Sequence, residues 1–150
     1  MDAITAYLPQ HAGFLPKWLF FTGIISIGNS IQAYSTLEFT KRVYNGAPTA
    51  DGKDTDKKLS AASPVTPLAA HLFATWTFTS AMVRLIAAYH ITTPPIFWLA
   101  FVTYTIAFSH FGAEWLIYGN TKLGAGLAGP LVVSTSTIAW MLLTWQEYLG

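Results

Sequence analysis

Long apolar runs separated by short polar punctuation organise this chain. Between Lys17 and Glu38 the stretch WLFFTGIISIGNSIQAYSTL carries no charge. As a helix rising about 1.5 Å per residue it is long enough for a bilayer core of about 30 Å. Leu68 to His90, Ile96 to Tyr118 and Leu123 to Trp145 repeat the pattern, with Arg84 and Glu114 as their only charges. The pattern predicts an all-α membrane protein: one domain over 1–150, folded as a four-transmembrane-helix bundle with spans of about 18–38, 68–90, 96–118 and 123–145. Pro94-Pro95 and the Gly119-Asn120-Thr121-Lys122 turn make the later connections short, so the last three spans should form antiparallel hairpins. The exception is a polar loop at about 45–67, where Gly46, Pro48, Gly52, Pro64 and Pro67 mix with Asp51, Lys53, Asp54, Asp56, Lys57 and Lys58. Such a stretch cannot bury enough apolar surface to offset its ordering entropy and is expected to be mobile.

Composition points the same way. Of 150 residues 53% are hydrophobic and 10% charged, against about 25% charged in an ordinary soluble domain. Too little charge remains to cover a water-facing surface. A formal net charge of +1 excludes the broad basic face that nucleic-acid binding needs. The absence of cysteine removes disulfides, thiolate nucleophiles and thiolate-held metals. Lys41, Arg42, Lys53, Lys57, Lys58 and Lys122 all fall in the first and third loops, which by the positive-inside rule puts both termini on the non-cytoplasmic side. The first apolar run is longer than the about 7–15 residues of a signal-peptide core and reads as a retained anchor.

Gly124-Ala125-Gly126-Leu127-Ala128-Gly129 matches the G-x-G-x-x-G nucleotide fingerprint, but a dinucleotide site needs a strand before the glycines and a βαβ unit around them. Here the motif opens an apolar helix. The alternative is close helix packing, with Gly124/Ala128 and Ala125/Gly129 on neighbouring small-residue stripes and a second copy of the chain as a candidate partner. His11, His71, His90 and His110 show no i, i+3 or i, i+4 pair, so the histidine boxes of a di-iron oxidase are missing and no metal or cofactor is expected. Ser134 to Thr137 are read as helix-stabilising hydroxyls rather than nucleophiles. Aromatic residues crowd the span ends as interfacial belts, except Trp76, whose mid-span indole is expected at a helix–helix contact.

Polar residues within the spans carry more information, because each is costly in hydrocarbon. Asn29 and Gln32 share a face of the first helix, and His110 and Glu114 share one of the third. Folding the hairpins back on themselves puts His71 level with Glu114, and Arg84 level with Thr103 and Thr137. Two polar layers result: His71, His110 and Glu114 toward the first loop, and Arg84, Thr103 and Thr137 toward the termini. Arg84 and Glu114 are about 18 Å apart along the membrane normal, so they should not pair. Three readings stay open for these layers: interhelical bonding or snorkelling, contact with a partner protein or sterol-like lipid, and acid–base catalysis by Glu114 and His110. A transporter would need a continuous polar path, and the apolar interval between the layers argues against one.

Gly28-Asn29-Ser30-Ile31-Gln32, Tyr44-Asn45-Gly46, Trp76-Thr77 with Arg84, His110-Phe111-Gly112-Ala113-Glu114 leading to Tyr118-Gly119, and Gly129-Pro130-Leu131 follow one another in order. This ordered set, from about Trp18 to Tyr148 and leaving out Thr49 to Ser63, resembles the ergosterol biosynthetic protein 28 family. The resemblance implies a multi-pass endoplasmic-reticulum protein with no catalysis of its own. Such a protein tethers the enzymes of sterol C-4 demethylation: the C-4 methyl oxidase, the decarboxylating 3-hydroxysteroid dehydrogenase and the 3-keto reductase. By the same resemblance Asn29, Gln32, Trp76, Arg84, His110, Glu114 and Tyr118 correspond to the family's characteristic intramembrane positions. The competing reading is an intramembrane sterol-modifying enzyme, or a sterol-binding protein, built on Glu114 and His110.

Overall fold

The computed structural model describes residues 6–46 and 64–150, and most of the polar loop expected at 45–67 lies outside them. Among the described residues five helices follow in order: α1 (Leu15–Ser35), α2 (Glu38–Val43), α3 (Pro67–Tyr89), α4 (Pro94–Leu116) and α5 (Ala125–Leu149). The described residues contain no strand. Each expected apolar segment holds one long helix, while the short α2 falls between the first expected span and the polar loop.

Helix boundaries follow local chemistry. Proline opens α1, α3 and α4 at their first positions, where a missing N–H costs nothing. The Thr66 hydroxyl accepts from Ala69 N at 3.1 Å to cap α3. Pro94-Pro95 therefore ends one helix and starts the next, and the turn is closed by Thr93 N donating to His90 O at 3.0 Å.

Only α4 and α5 combine the length and mean hydropathy to cross a membrane by those criteria alone. This differs from the expected four. The two helices that fall short carry the polar load: α1 contains Lys17, Asn29 and Gln32, and α3 contains His71, Arg84 and four threonines or serines.

The most extensive contact is α1 on α3, followed by α4 on α5 and α3 on α4. Small residues make the first of these close. Ser26, Ser30 and Ala33 are buried on α1, and Ala70, Ala74 and Ala81 on α3. A Cβ built on Gly23 would stand 2.9 Å from the Leu85 side chain and 3.4 Å from Ala81 O. Small-residue packing is thus found between α1 and α3, apart from the Gly124–Gly129 segment expected to provide it.

Apolar residues close the two ends of the bundle. At the termini end Leu15, Leu19, Ala88, Phe97, Tyr104 and Met141 form one cluster, and toward α2 a smaller one gathers Phe111 and Leu127 under Tyr44, Phe73 and Trp76. Buried polar side chains include Thr22, Ser26, Ser30, Arg84, Thr103, Ser134 and Thr137, while Ile31, Leu72, Leu99, Ile106 and Leu143 are exposed. So many exposed large apolar side chains are more than a water-facing surface ordinarily carries.

Candidate functional site

Two polar clusters are built between the helices. At the first, α3 carries Arg84 into the interior, 7% exposed. Its Nε donates to Thr103 Oγ1 of α4 and its Nη1 to Ser26 Oγ of α1, both at 3.2 Å. The guanidinium lies 4.0 Å from the centre of the Tyr104 ring, a cation–π contact. The Tyr104 hydroxyl is 2.6 Å from Thr22 Oγ1. Arg84 thus gathers α1, α3 and α4 around one charge.

Thr103 is where the depth argument puts it. Thr137 is buried but accepts from Trp18 Nε1 at 2.8 Å, so its interhelical partner is an indole and not Arg84. Ser26, Thr22 and Tyr104 were missed. The signal for the first two was present in the i, i+4 run Thr22-Ser26-Ser30, a hydroxyl stripe in an otherwise apolar helix.

The second cluster ties the end of α2 to the α4–α5 turn. Tyr44 follows α2 directly, and its hydroxyl sits 2.6 Å from His110 Nε2. Asn120 Nδ2 donates to Glu114 Oε2 at 2.7 Å. Gly46 N donates to Asn120 O at 2.9 Å, Thr121 Oγ1 to Val43 O at 2.5 Å, and Lys122 N to Asn45 Oδ1 at 2.8 Å. Burial, and secondarily the charge of Glu114, push the Tyr44 phenol above its ordinary range. It stays protonated at neutral pH and can donate to the imidazole.

His71 does not join this cluster. It is exposed and stacks on Tyr34 of α1 with ring centres 5.0 Å apart. The level reckoned from the hairpin fold fixes height along the bundle but not the side of the helix on which a residue falls. Trp76 does sit at a helix–helix contact, edge-on to His110 at 5.5 Å and beside Phe111 of α4. Tyr118 is 57% exposed.

Gly124, Ala125 and Gly129 are exposed and Ala128 half-buried. A Cβ on Gly129 would meet nothing within 4 Å, whereas one on Gly126 would collide with the Arg42 carbonyl. Gly129 and Ala125 therefore border open space rather than a tight helix contact, and Gly126 between them carries the close approach to α2.

A cavity of about 240 Å³ lies among the four long helices, walled by Phe73, Trp76 and Phe111 toward α2 and by Trp18, Tyr104 and Arg84 toward the termini. The start of α1 meets α5 through Trp18–Thr137 and the Phe14–Trp140 stack. Farther along, Ile25 and Asn29 of α1 and Gly129 and Val133 of α5 form opposite walls. A second cavity of about 670 Å³ shares Asn29, Phe73 and Pro130 with it and runs past Gln32 to Lys41 and Arg42 of α2. His110 and Glu114 line a third, of about 290 Å³. Among the described residues no group of three or more His, Asp or Glu could hold a metal ion.

The architecture defines a small all-helical protein with large apolar side chains exposed along its helices, polar clusters between them and a buried arginine on an internal cavity. The profile of the family described as Erg28 like protein matches residues 15–139, and the chain belongs to that family. It is 44% identical over 139 residues to a Saccharomyces cerevisiae protein named ergosterol biosynthetic protein 28, which covers 92% of this chain and 84% of the yeast one. A Candida albicans protein of the same name is 40% identical over 93% of this chain and 91% of its own. A Homo sapiens protein named as its homolog is 28% identical over 86% and 83%. No solved structure matches the chain.

Proposed function

We propose that this chain is a multi-pass membrane scaffold of ergosterol-type sterol biosynthesis. In this reading α1, α3, α4 and α5 all cross the endoplasmic-reticulum membrane, and the end bearing Lys41, Arg42 and Lys122 faces the cytoplasm. The relatives' names supply the pathway. The outward Ile, Leu and Phe side chains and the buried Thr22, Ser26, Ser30 and Arg84 support the membrane setting for α1 and α3 as well, whose lower mean hydropathy comes from Lys17, Asn29, Gln32 and His71 on their exposed sides.

The observation that carries the non-catalytic reading is the engagement of the one candidate acid–base pair. His110 Nε2 is bonded by Tyr44 and Glu114 Oε2 by Asn120, so both side chains hold chain segments together. A tether then acts by effective concentration, keeping the C-4 methyl oxidase, the decarboxylating dehydrogenase and the 3-keto reductase near one another so that an apolar intermediate passes locally.

The test is a mild-detergent extract of membranes carrying the tagged chain, paired with incubation of the purified protein with labelled sterols. The three enzymes should leave the membrane with the chain and the sterols should stay unchanged. Turnover that Glu114→Gln abolishes would replace the scaffold by an enzyme.

A further inference from the structure

An arginine buried between helices is costly unless an anion or a full set of acceptors meets it. Among the described residues Arg84 meets neither. Its two hydrogen bonds, to Thr103 and Ser26, engage two of the five guanidinium N–H donors. Both acceptors are neutral hydroxyls, and the remaining contact is the face of Tyr104. Glu114, the acidic residue of the neighbouring helix, is bonded to Asn120 in the other cluster. The guanidinium lines the cavity of about 240 Å³, whose walls are otherwise mostly aromatic and aliphatic. Thr77 lines it too, and its buried hydroxyl has no hydrogen-bond partner among the described residues. One uncompensated positive charge at the end of an apolar chamber is complementary to an apolar molecule bearing a single carboxylate.

We propose that the chamber binds a sterol carrying a carboxylate on its ring system, with the acid on Arg84 and the apolar body toward Phe73, Trp76 and Phe111. The identity of the ligand rests on the scaffold reading above. An oxidase that works on a C-4 methyl group and a dehydrogenase that decarboxylates at the same carbon have a C-4 carboxylate between them. That species is the one pathway intermediate with an anionic head, so a site built on arginine selects it over the methyl sterol before it and the ketone after it. The adjoining cavity, which shares Asn29, Phe73 and Pro130, gives the sterol tail room to extend toward α2.

Binding of a radiolabelled 4-carboxysterol to the full chain in lipid nanodiscs tests this, with the matching 4-methylsterol and oleate as comparison ligands. The carboxysterol should bind at least about tenfold more tightly than the methylsterol, the margin expected of a charge-assisted hydrogen bond. Arg84→Gln should erase that margin and Arg84→Lys should keep part of it. Gly129→Leu adds bulk at the cavity wall where a Cβ meets nothing within 4 Å, and should weaken carboxysterol binding without touching the arginine. It serves also if Arg84→Gln fails to fold. Equal binding of carboxysterol and methylsterol overturns the assignment, as does an Arg84→Gln protein that keeps the preference. Oleate binding as tightly as the carboxysterol overturns the sterol part and leaves a general lipid-acid site. Failure to bind carboxysterol while the three enzymes still co-purify removes this inference alone, and binding without co-purification removes the scaffold reading alone.

Discussion

The Tyr44 hydroxyl and His110 Nε2 lie 2.6 Å apart across 66 positions of sequence. This contact pins the segment after α2 onto the C-terminal part of α4, and three bonds from 43–46 to the 120–122 turn continue the seam. Tyr44→Phe keeps the ring packed edge-on to Phe73 but removes the hydroxyl, so we expect a loss of about 1–2 kcal/mol. Thermal unfolding in detergent reads the loss. Hydrogen exchange should show faster opening at residues 43–46 than in α3, and uniform exchange would mean the seam is not pinned there.

The same tyrosine gives the fold an alkaline limit. Its pKa is raised above the ordinary 10.0, first by burial and then by the charge of Glu114. Protonation is therefore favoured in the folded chain. The stability this contributes is fully present below about pH 10 and is lost as pH climbs through the higher folded value. Unfolding midpoints between pH 8 and 11 should hold level and then fall for the parent, with a shallower fall for Tyr44→Phe. Identical profiles would remove Tyr44 as the cause.

The spacing of charges was enough to locate the four long helices to within a few residues, because in an apolar chain each Lys, Glu or Pro marks an end. Height along the helices was legible too: Arg84 does meet Thr103. Rotation about the helix axes was not, since a chain apolar on nearly every face gives little periodic contrast. That is why the depth argument sets His71 level with Glu114 although it stacks on Tyr34, and why the buried row of Ala70, Ala74 and Ala81 does not stand out as a packing face. The seam of Tyr44, Asn45 and Gly46 with Asn120 to Lys122 depends on a long-range return of the chain that no local pattern encodes.

Arg84→Met separates stability from binding. Ser26 Oγ also donates to Thr22 O at 2.8 Å and Thr103 Oγ1 to Ala100 O at 2.7 Å, so neither hydroxyl is orphaned when the guanidinium goes. Methionine fills similar space, and relief of the buried charge offsets the lost cation–π contact, leaving a net change within about 1 kcal/mol or a gain. The melting midpoint of the purified protein should hold or rise while its ligand or partners are lost. A drop of several kcal/mol would make the arginine a structural clamp.

Gly126 and Gly129 lie three residues apart in α5 and should respond oppositely to added carbon. A Cβ at Gly126 would drive into the Arg42 carbonyl and crowd Val43 N, both backbone atoms that cannot rotate away. Gly126→Val must therefore lift α2 off α5 or shift the helix, at a cost of about 2 kcal/mol or more. Displacing α2 also pulls Tyr44 from His110, so the alkaline fall in stability should flatten in this variant as it does in Tyr44→Phe. At Gly129 nothing stands within 4 Å, and alanine there reduces the backbone freedom lost on folding, a gain of about 0.5–1 kcal/mol. Melting midpoints of Gly126→Val and Gly129→Ala measured side by side decide the matter: equal losses would mean that Gly129 too is pressed against a neighbour.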